Sequence, residues 1–95
     1  MNESILQCEI CKIFSNPYRL QILLALRSGK KSVSELVKKV GASQSSISQN
    51  LAFMRLRGVI SANKEGPFIY YTLEYPEIMD AYDIMRSVTK KIGRR

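Results

Sequence analysis

The chain has 95 residues, fifteen Lys and Arg against eight Asp and Glu for a formal net charge of +7, and 45% apolar residues. That length sets a single domain over residues 1–95, the apolar share is too high for a disordered chain, and the basic balance points to an anionic partner such as nucleic acid or a membrane surface. The longest apolar run, Ile22 to Leu26, is far too short to span a bilayer, and Met1 to Ser4 has no basic-then-apolar leader, so the expected location is the cytoplasm, with both cysteines reduced.

The charge is unevenly placed. From Ile10 to Lys64 the one acid is Glu35, against Lys12, Arg19, Arg27, Lys30, Lys31, Lys38, Lys39, Arg55, Arg57 and Lys64. The other acids, among them Glu3, Glu9, Glu65, Asp80 and Asp83, gather near the ends, so the middle of the chain is expected to carry the anion-binding face.

In chain order, Glu3 to Phe14 reads as a helix, with Leu6, Ile10, Ile13 and Phe14 on one stripe. Asn16-Pro17 resets the chain: Asn caps well, and Pro at the first helical position gives up an N–H that has no partner there. A second helix is predicted from Pro17 to Arg27, ended by Ser28-Gly29. Ser32 and Glu35 form a capping box for a short third helix with Val33, Leu36, Val37 and Val40 inward and Lys38 and Lys39 outward. Gly41 supplies a tight turn where a left-handed backbone costs little. Ser43 caps a fourth helix, Gln44 to Arg57, ended by Gly58.

Val59 to Asn63 reads as a strand, Lys64-Glu65-Gly66-Pro67 as a turn, and Phe68 to Leu73 as a second strand rich in aromatic and β-branched residues. Pro76 opens a last helix to Ile92 with apolar positions Ile78, Ala81, Tyr82, Met85 and Val88, followed by a loose tail, Gly93-Arg94-Arg95. Short helix, glycine turn, longer helix, hairpin is the order of a helix-turn-helix followed by a wing. The expected fold class is therefore mainly α with a small β-hairpin wing (α+β).

On the fourth helix Ile47, Leu51 and Met54 make the inner face. The opposite side carries Gln44, Ser45, Ser48, Gln49, Ala52 and Arg55, with no acid among them. Small residues allow close approach to a major groove, amides pair with base edges, and a carboxylate would repel phosphate. The first turn, Ser43 to Ser46, would offer free N–H groups and a positive dipole end to the DNA backbone. Expected DNA contacts are Ser43, Gln44, Ser45, Ser46, Ser48, Gln49 and Arg55, with Lys64 at the wing. Phe53 and Leu56 fall off the core stripe, and either the wing or the last helix could take them.

Asn16-Pro17-Tyr18-Arg19-Leu20-Gln21-Ile22-Leu23 resembles the D-P-T-R-L-x-I-L opening of the ArsR/SmtB family of winged-helix repressors. Ser43-Gln44-Ser45-Ser46-Ile47-Ser48-Gln49-Asn50-Leu51 resembles its S-Q-S-x-V-S-x-H-L, and Glu65-Gly66 through Ile69-Tyr70-Tyr71-Thr72-Leu73 its E-G-R-x-V-Y-Y-x-L. The resemblance runs over roughly residues 6 to 75 in matching order and spacing. It implies a homodimer built by the first and last helices, double-stranded DNA as partner through a two-fold symmetric operator, and repression released by a small effector.

The departures concern sensing. The family's L-C-V-C-D-L aligns with Lys31-Ser32-Val33-Ser34-Glu35-Leu36, so both cysteine positions are serine. Its other zinc site uses histidines on the last helix; this chain has none, and Asp80 and Asp83 alone make a poor zinc site. Pro67 replaces the wing arginine, and Asn50 the recognition-helix histidine. No metal or other cofactor is expected.

Cys8 and Cys11, the two thiols, lie three apart on the first helix. They read as small apolar residues of a dimer interface, as a thiol or redox switch, or as ligands of a four-sulfur metal site shared across a dimer. With no histidine, no glycine-rich phosphate loop and no nucleophile-base pair, an enzyme is not expected. The alternatives to a DNA-binding regulator without the family's metal sites are a winged helix used for protein contact and a thiol-responsive repressor acting through Cys8 and Cys11. A membrane-surface role fits poorly, because no helix pairs a lysine-rich face with bulky apolar anchors.

Overall fold

The computed structural model describes residues 2–94. Helix α1 (Glu3–Cys11) passes into a 3-10 turn (Lys12–Ser15), and helix α2 (Pro17–Arg27) follows. Strand β1 (Lys31–Ser32), helix α3 (Val33–Val40) and helix α4 (Gln44–Leu56) come next, then strands β2 (Ile60–Glu65) and β3 (Phe68–Leu73) and helix α5 (Ile78–Gly93). The mainly helical fold with a small antiparallel sheet agrees with expectation.

The caps explain most of the boundaries. Asn16 Oδ1 accepts from the amides of Tyr18 and Arg19 at 2.9 and 3.1 Å, which satisfies two of the orphan donors of α2. Ser32 and Glu35 form the reciprocal capping box of α3, and Gly41 ends that helix in the left-handed conformation. Gly58, at φ +77°, ends α4 in a Schellman arrangement: the Val59 amide donates to Met54 O and the Gly58 amide to Arg55 O. Val59 and Met54 are both buried, which is the apolar contact such a terminus brings with it.

The core lies among α2, α3, α4 and the sheet. Ile22, Leu23 and Leu26 of α2, Leu36 of α3 and Ile47, Leu51 and Met54 of α4 form it with Ile13, Val59, Ile60 and Met79. The expected inner face of α4 is thus fully buried. Leu36 is buried, and Val33, Val37 and Val40 pack partly against the same cluster.

Several expectations need correction. The first helix does not stay α-helical to Phe14; it tightens at Lys12. The residue before a proline is pushed toward extended backbone, and Asn16 at φ −116°, ψ 121° obeys, so the chain must leave the helix just ahead of it. The α1 segment itself buries no residue: Ile13 is in the core, Ile10 and Phe14 pack partly, and Leu6 is exposed.

The fourth helix ends at Leu56, with Arg57 as its cap. The hairpin turn is two residues long, not four, so β2 runs on to Glu65, which pairs with Phe68. A two-residue hairpin turn with Gly66 at φ +61° and proline, locked to negative φ, in second place fits type II′.

The short β1 was not expected. It pairs antiparallel with β3, Lys31 opposite Tyr71, and makes the sheet three-stranded in the order β1-β3-β2. The last helix begins at Ile78 after a tight turn from Tyr75, and Met79, absent from the predicted stripe, is its buried anchor. Ile78 and Tyr82 pack partly against the core; Ala81, Met85 and Val88 are exposed. Of the expected loose tail, Gly93 is still helical and Arg94 caps the helix, while Arg95 lies outside the described residues.

Candidate nucleic-acid interface

Helix α4 shows three faces. The first is the core stripe. The second is exposed: Gln44, Ser45, Ser48, Gln49, Ala52 and Arg55 all lie at the surface. At its N-terminus Ser43 Oγ accepts from the Ser46 amide at 3.1 Å, and the Ile47 amide donates to Ser43 O. The amides of Gln44 and Ser45 make no hydrogen bond among the described residues, so the positive end of α4 keeps two donors free for an anion. Gln49 Nε2 lies 3.4 Å from Ser45 Oγ, a weak bond that an external acceptor can replace.

Ser46 is placed differently from its neighbours. It is half-buried, with its hydroxyl 3.4 Å from Asn50 Nδ2, and its reach outward is smaller than that of Ser45 or Ser48. Ser43 is exposed, and its hydroxyl oxygen accepts in the cap, which leaves the O–H free to donate outward.

The wing stands beside the exposed face. A groove of about 480 Å³ between α4 and β3 is lined by Ser48, Ala52, Arg55, Leu56 and Tyr71. Lys64 is exposed near the hairpin tip, opposite Ile69. Its neighbour Glu65 is occupied: Lys30 Nζ sits 2.8 Å from both carboxylate oxygens and 5.0 Å from the Tyr70 ring. That bond raises the proton affinity of Lys30 and covers the one acid at the tip. Arg55 and Lys64 have no acidic partner among the described residues, so both cations are available to phosphate.

The third face was missed by the sequence reading. Phe53 packs partly against the core cluster, and two cations cover its ring. The guanidinium carbons of Arg19 and Arg57 lie 3.5 and 3.4 Å from its ring centroid, and two cations that close must occupy opposite faces. Arg19 Nε donates to Asn50 Oδ1 at 3.2 Å and its Nη1 to Lys12 O at 3.3 Å. Burial, then the charge of Arg57, lowers the proton affinity of Arg19. Arg57 donates to Phe53 O and to Glu9 of α1, both at 3.0 Å. Leu56, the other unplaced residue, is 85% exposed. The signal for this face was the spacing Ser46, Asn50, Phe53, Arg57, one side of a helix read as polar-aromatic instead of apolar.

Cys8 and Cys11 are exposed free thiols on α1. No group of three or more His, Cys, Asp or Glu among the described residues is placed to hold a metal ion. No described helix is long and apolar enough to cross a membrane.

Helix, left-handed turn, second helix with an exposed polar face, then a hairpin alongside define a winged helix-turn-helix protein. Comparison with known proteins agrees. The profile of the family described as "Bacterial regulatory protein, arsR family" matches residues 16–62. The transcriptional activator HlyU of Vibrio cholerae is 36% identical over 76 residues, 80% of this chain and 70% of that protein. The HTH-type transcriptional regulator Rv0081 of Mycobacterium tuberculosis is 32% identical over 88 residues, 92% of this chain and 77% of that protein. Its crystal structure superposes with a TM-score of 0.85, at 29% identity, over 99% of this chain and 95% of that one. The transcriptional repressor SdpR of Bacillus subtilis is 30% identical over 82 residues, 86% of this chain and 91% of that protein. The chain belongs to the ArsR family of bacterial transcriptional regulators and is a DNA-binding regulator of transcription.

Proposed function

We propose that the chain acts as a homodimeric repressor that occupies a two-fold symmetric operator. The observation that carries this reading is the acid-free exposed face of α4, with two unpaired amides at its N-terminus and unpaired Arg55 and Lys64 at its flanks. Gln44, Ser45, Ser48 and Gln49 enter the major groove and read base edges. Ser43 and Ser46 hold the helix N-terminus in shape beside a phosphate, and Arg55 and Lys64 neutralise phosphates on either side.

The dimer is built by α1 and α5. Helix α5 leaves Ile84, Met85, Val88 and Ile92 exposed, and α1 leaves Ile5 and Leu6 exposed. Apolar side chains along two neighbouring helices call for a cover, and a second copy supplies one by a self-complementary contact. Two copies then present two α4 helices to half-sites about 34–36 Å apart, one helical turn of DNA.

The test is selection of bound duplexes from a random pool, with footprinting on the winners and sedimentation of the free protein. A repeated, inverted half-site and a dimer at micromolar concentration are expected. A single unrepeated half-site, or a monomer, overturns the reading.

A further inference from the structure

We propose that Glu9 of α1 is a positioning residue for DNA recognition, setting the tilt of α4 through Arg57, Phe53, Arg19 and Asn50. The inference rests on the reading of α4 as the base-reading helix and adds what holds that helix at its angle.

The contacts form one connected path. Glu9 bridges two cations, Lys12 Nζ at 2.9 Å through Oε1 and Arg57 Nη2 at 3.0 Å through Oε2. Arg57 lies flat on Phe53, Arg19 lies on its other face, and Arg19 Nε binds Asn50, whose Nδ2 donates to Ser46 O at 2.9 Å. Ser46, Asn50, Phe53 and Arg57 fall within about 60° of one another at about 100° per residue, so the path runs the length of α4 on a single side. That side adjoins both the core stripe and the exposed face. A rotation of α4 about its own axis, or a change in its tilt, must break the path.

The electrostatics give Glu9 its weight. Two guanidinium groups on one ring repel each other, and Glu9 is the sole acid paired with either among the described residues. The Arg57 and Glu9 side chains are about three-quarters covered, at 24% and 25% exposure, so water screens this pair less than the other ion pairs. Arg57 Nε is buried without an acceptor, which leaves the group dependent on its two remaining nitrogens for orientation. Planar stacking with fixed donor directions is a property of arginine that lysine lacks.

Little else fastens α1 to α4. No residue of α1 is fully buried, and Leu6, Glu9, Leu56 and Arg57 line an open hollow of about 350 Å³ between the two helices. A shift of α1 is therefore passed to the recognition helix mainly through Glu9 and Arg57. In a dimer built on α1, the same contact ties the packing of two subunits to the angle and separation of two recognition helices.

The test uses the full chain, a duplex selected from random sequence by the wild type, versions of that duplex with one base pair added or removed between half-sites, and a random duplex of equal length. Glu9→Gln keeps shape and makes the protein more positive, so charge alone would strengthen binding to every duplex. The positioning role predicts the opposite on the selected duplex: a loss of about tenfold, typical of coupling between sites, and a flatter dependence on spacer length. Binding to the random duplex stays equal to or tighter than wild type.

Arg57→Lys retains the charge but loses the stack and the fork, and is expected to show the same selective loss. Circular dichroism melts accompany both variants, so a variant lost to unfolding leaves the other to decide. Unchanged affinity and spacer preference in a folded variant, or an equal loss on both duplexes, overturns the proposal. A wild type with no preference over random duplex overturns the reading of α4 itself, and the positioning role falls with it.

Discussion

Arg27, in the last turn of α2, and Asp83, in the second turn of α5, meet fork to fork, Nη1 donating to Oδ1 at 2.8 Å and Nη2 to Oδ2 at 2.6 Å. The contact joins segments 56 residues apart. Both side chains are nearly half exposed, so the pair adds little to global stability; its planar, bidentate form fixes direction instead. Beyond Tyr82 the described residues of α5 are all exposed, and Arg27 is the one residue that holds Asp83 in an ion pair. Arg27→Ala is expected to leave the denaturation midpoint near wild type and to speed amide exchange in α5 beyond Tyr82. Exchange in α2 should not change. Equal exchange in α5 of both proteins would show that apolar contacts alone seat the helix.

Met79 is the buried anchor of α5, 2% exposed and part of the central cluster. Replacing it by alanine removes apolar burial and leaves a cavity that the neighbours fill only in part. Met79→Ala should cost about 2–5 kcal/mol of unfolding free energy, read by urea denaturation at fixed protein concentration, since association alters apparent stability. A cost under about 0.5 kcal/mol, the range of surface substitutions, would mean that α5 is not docked as described.

The frame was legible in the sequence because caps and turns are local chemistry. Asn16-Pro17, the Ser32–Glu35 box, Gly41, Ser43 and Gly58 each act on backbone groups within a few residues, and all of them sit at or beside the element ends they signalled. The misses came from contacts distant in sequence. Two residues, Lys31 and Ser32, become a strand because β3 passes beside them. Met79 is buried by elements that precede it by many residues, and helical periodicity gave more weight to Met85 and Val88, whose faces are bare. Phe53 looked stranded off the apolar stripe, since beside a partial contact with the core its ring is covered by two arginines, one of them 34 positions away in sequence, and periodicity counts only apolar neighbours. The exposed side of α4 was read from residue type and spacing; its relation to the wing groove needed the fold.

Acid should destabilise this fold in a narrow range of pH. The Lys12 bond first and the Arg57 bond second hold Glu9 below the ordinary 4.5 of a glutamate. The backbone N–H of Ser32 does the same for Glu35, and Arg27 holds Asp83 below 3.8. A carboxyl group with a depressed value in the folded state takes up its proton more readily when unfolded. Its contribution is therefore complete above the unfolded value and is lost as pH falls through the folded one. The chain has no histidine, so no imidazole titrates between neutrality and that point. Thermal melts should keep a constant midpoint from pH 7 to about 5.5 and fall progressively below about 4.5. Glu9→Gln should shrink that acid-induced drop. A midpoint that already declines between pH 7 and 6 would contradict the assignment.

The last prediction separates residues that read sequence from residues that hold phosphate. Gln49 is exposed on α4 with a carboxamide able to donate and accept, and only a weak bond to Ser45 restrains it. Gln49→Ala should cost ~1–3 kcal/mol on the preferred operator and relax base choice at one position in each half-site. Its affinity for random duplex should stay near wild type, because a neutral amide releases no counterion. Arg55 lines the wing groove and Lys64 stands near the hairpin tip, both as free cations. Arg55→Ala and Lys64→Ala should weaken selected and random duplexes alike, and each should lower the slope of log affinity against log salt by about 0.9, the share of one phosphate that is no longer neutralised. Titrations across salt, on both duplexes, distinguish the two behaviours. If Gln49→Ala shifts the salt slope and keeps base preference, or if Arg55→Ala changes base preference at constant slope, the roles are assigned to the wrong residues. If neither class of variant moves either quantity, α4 does not face the DNA.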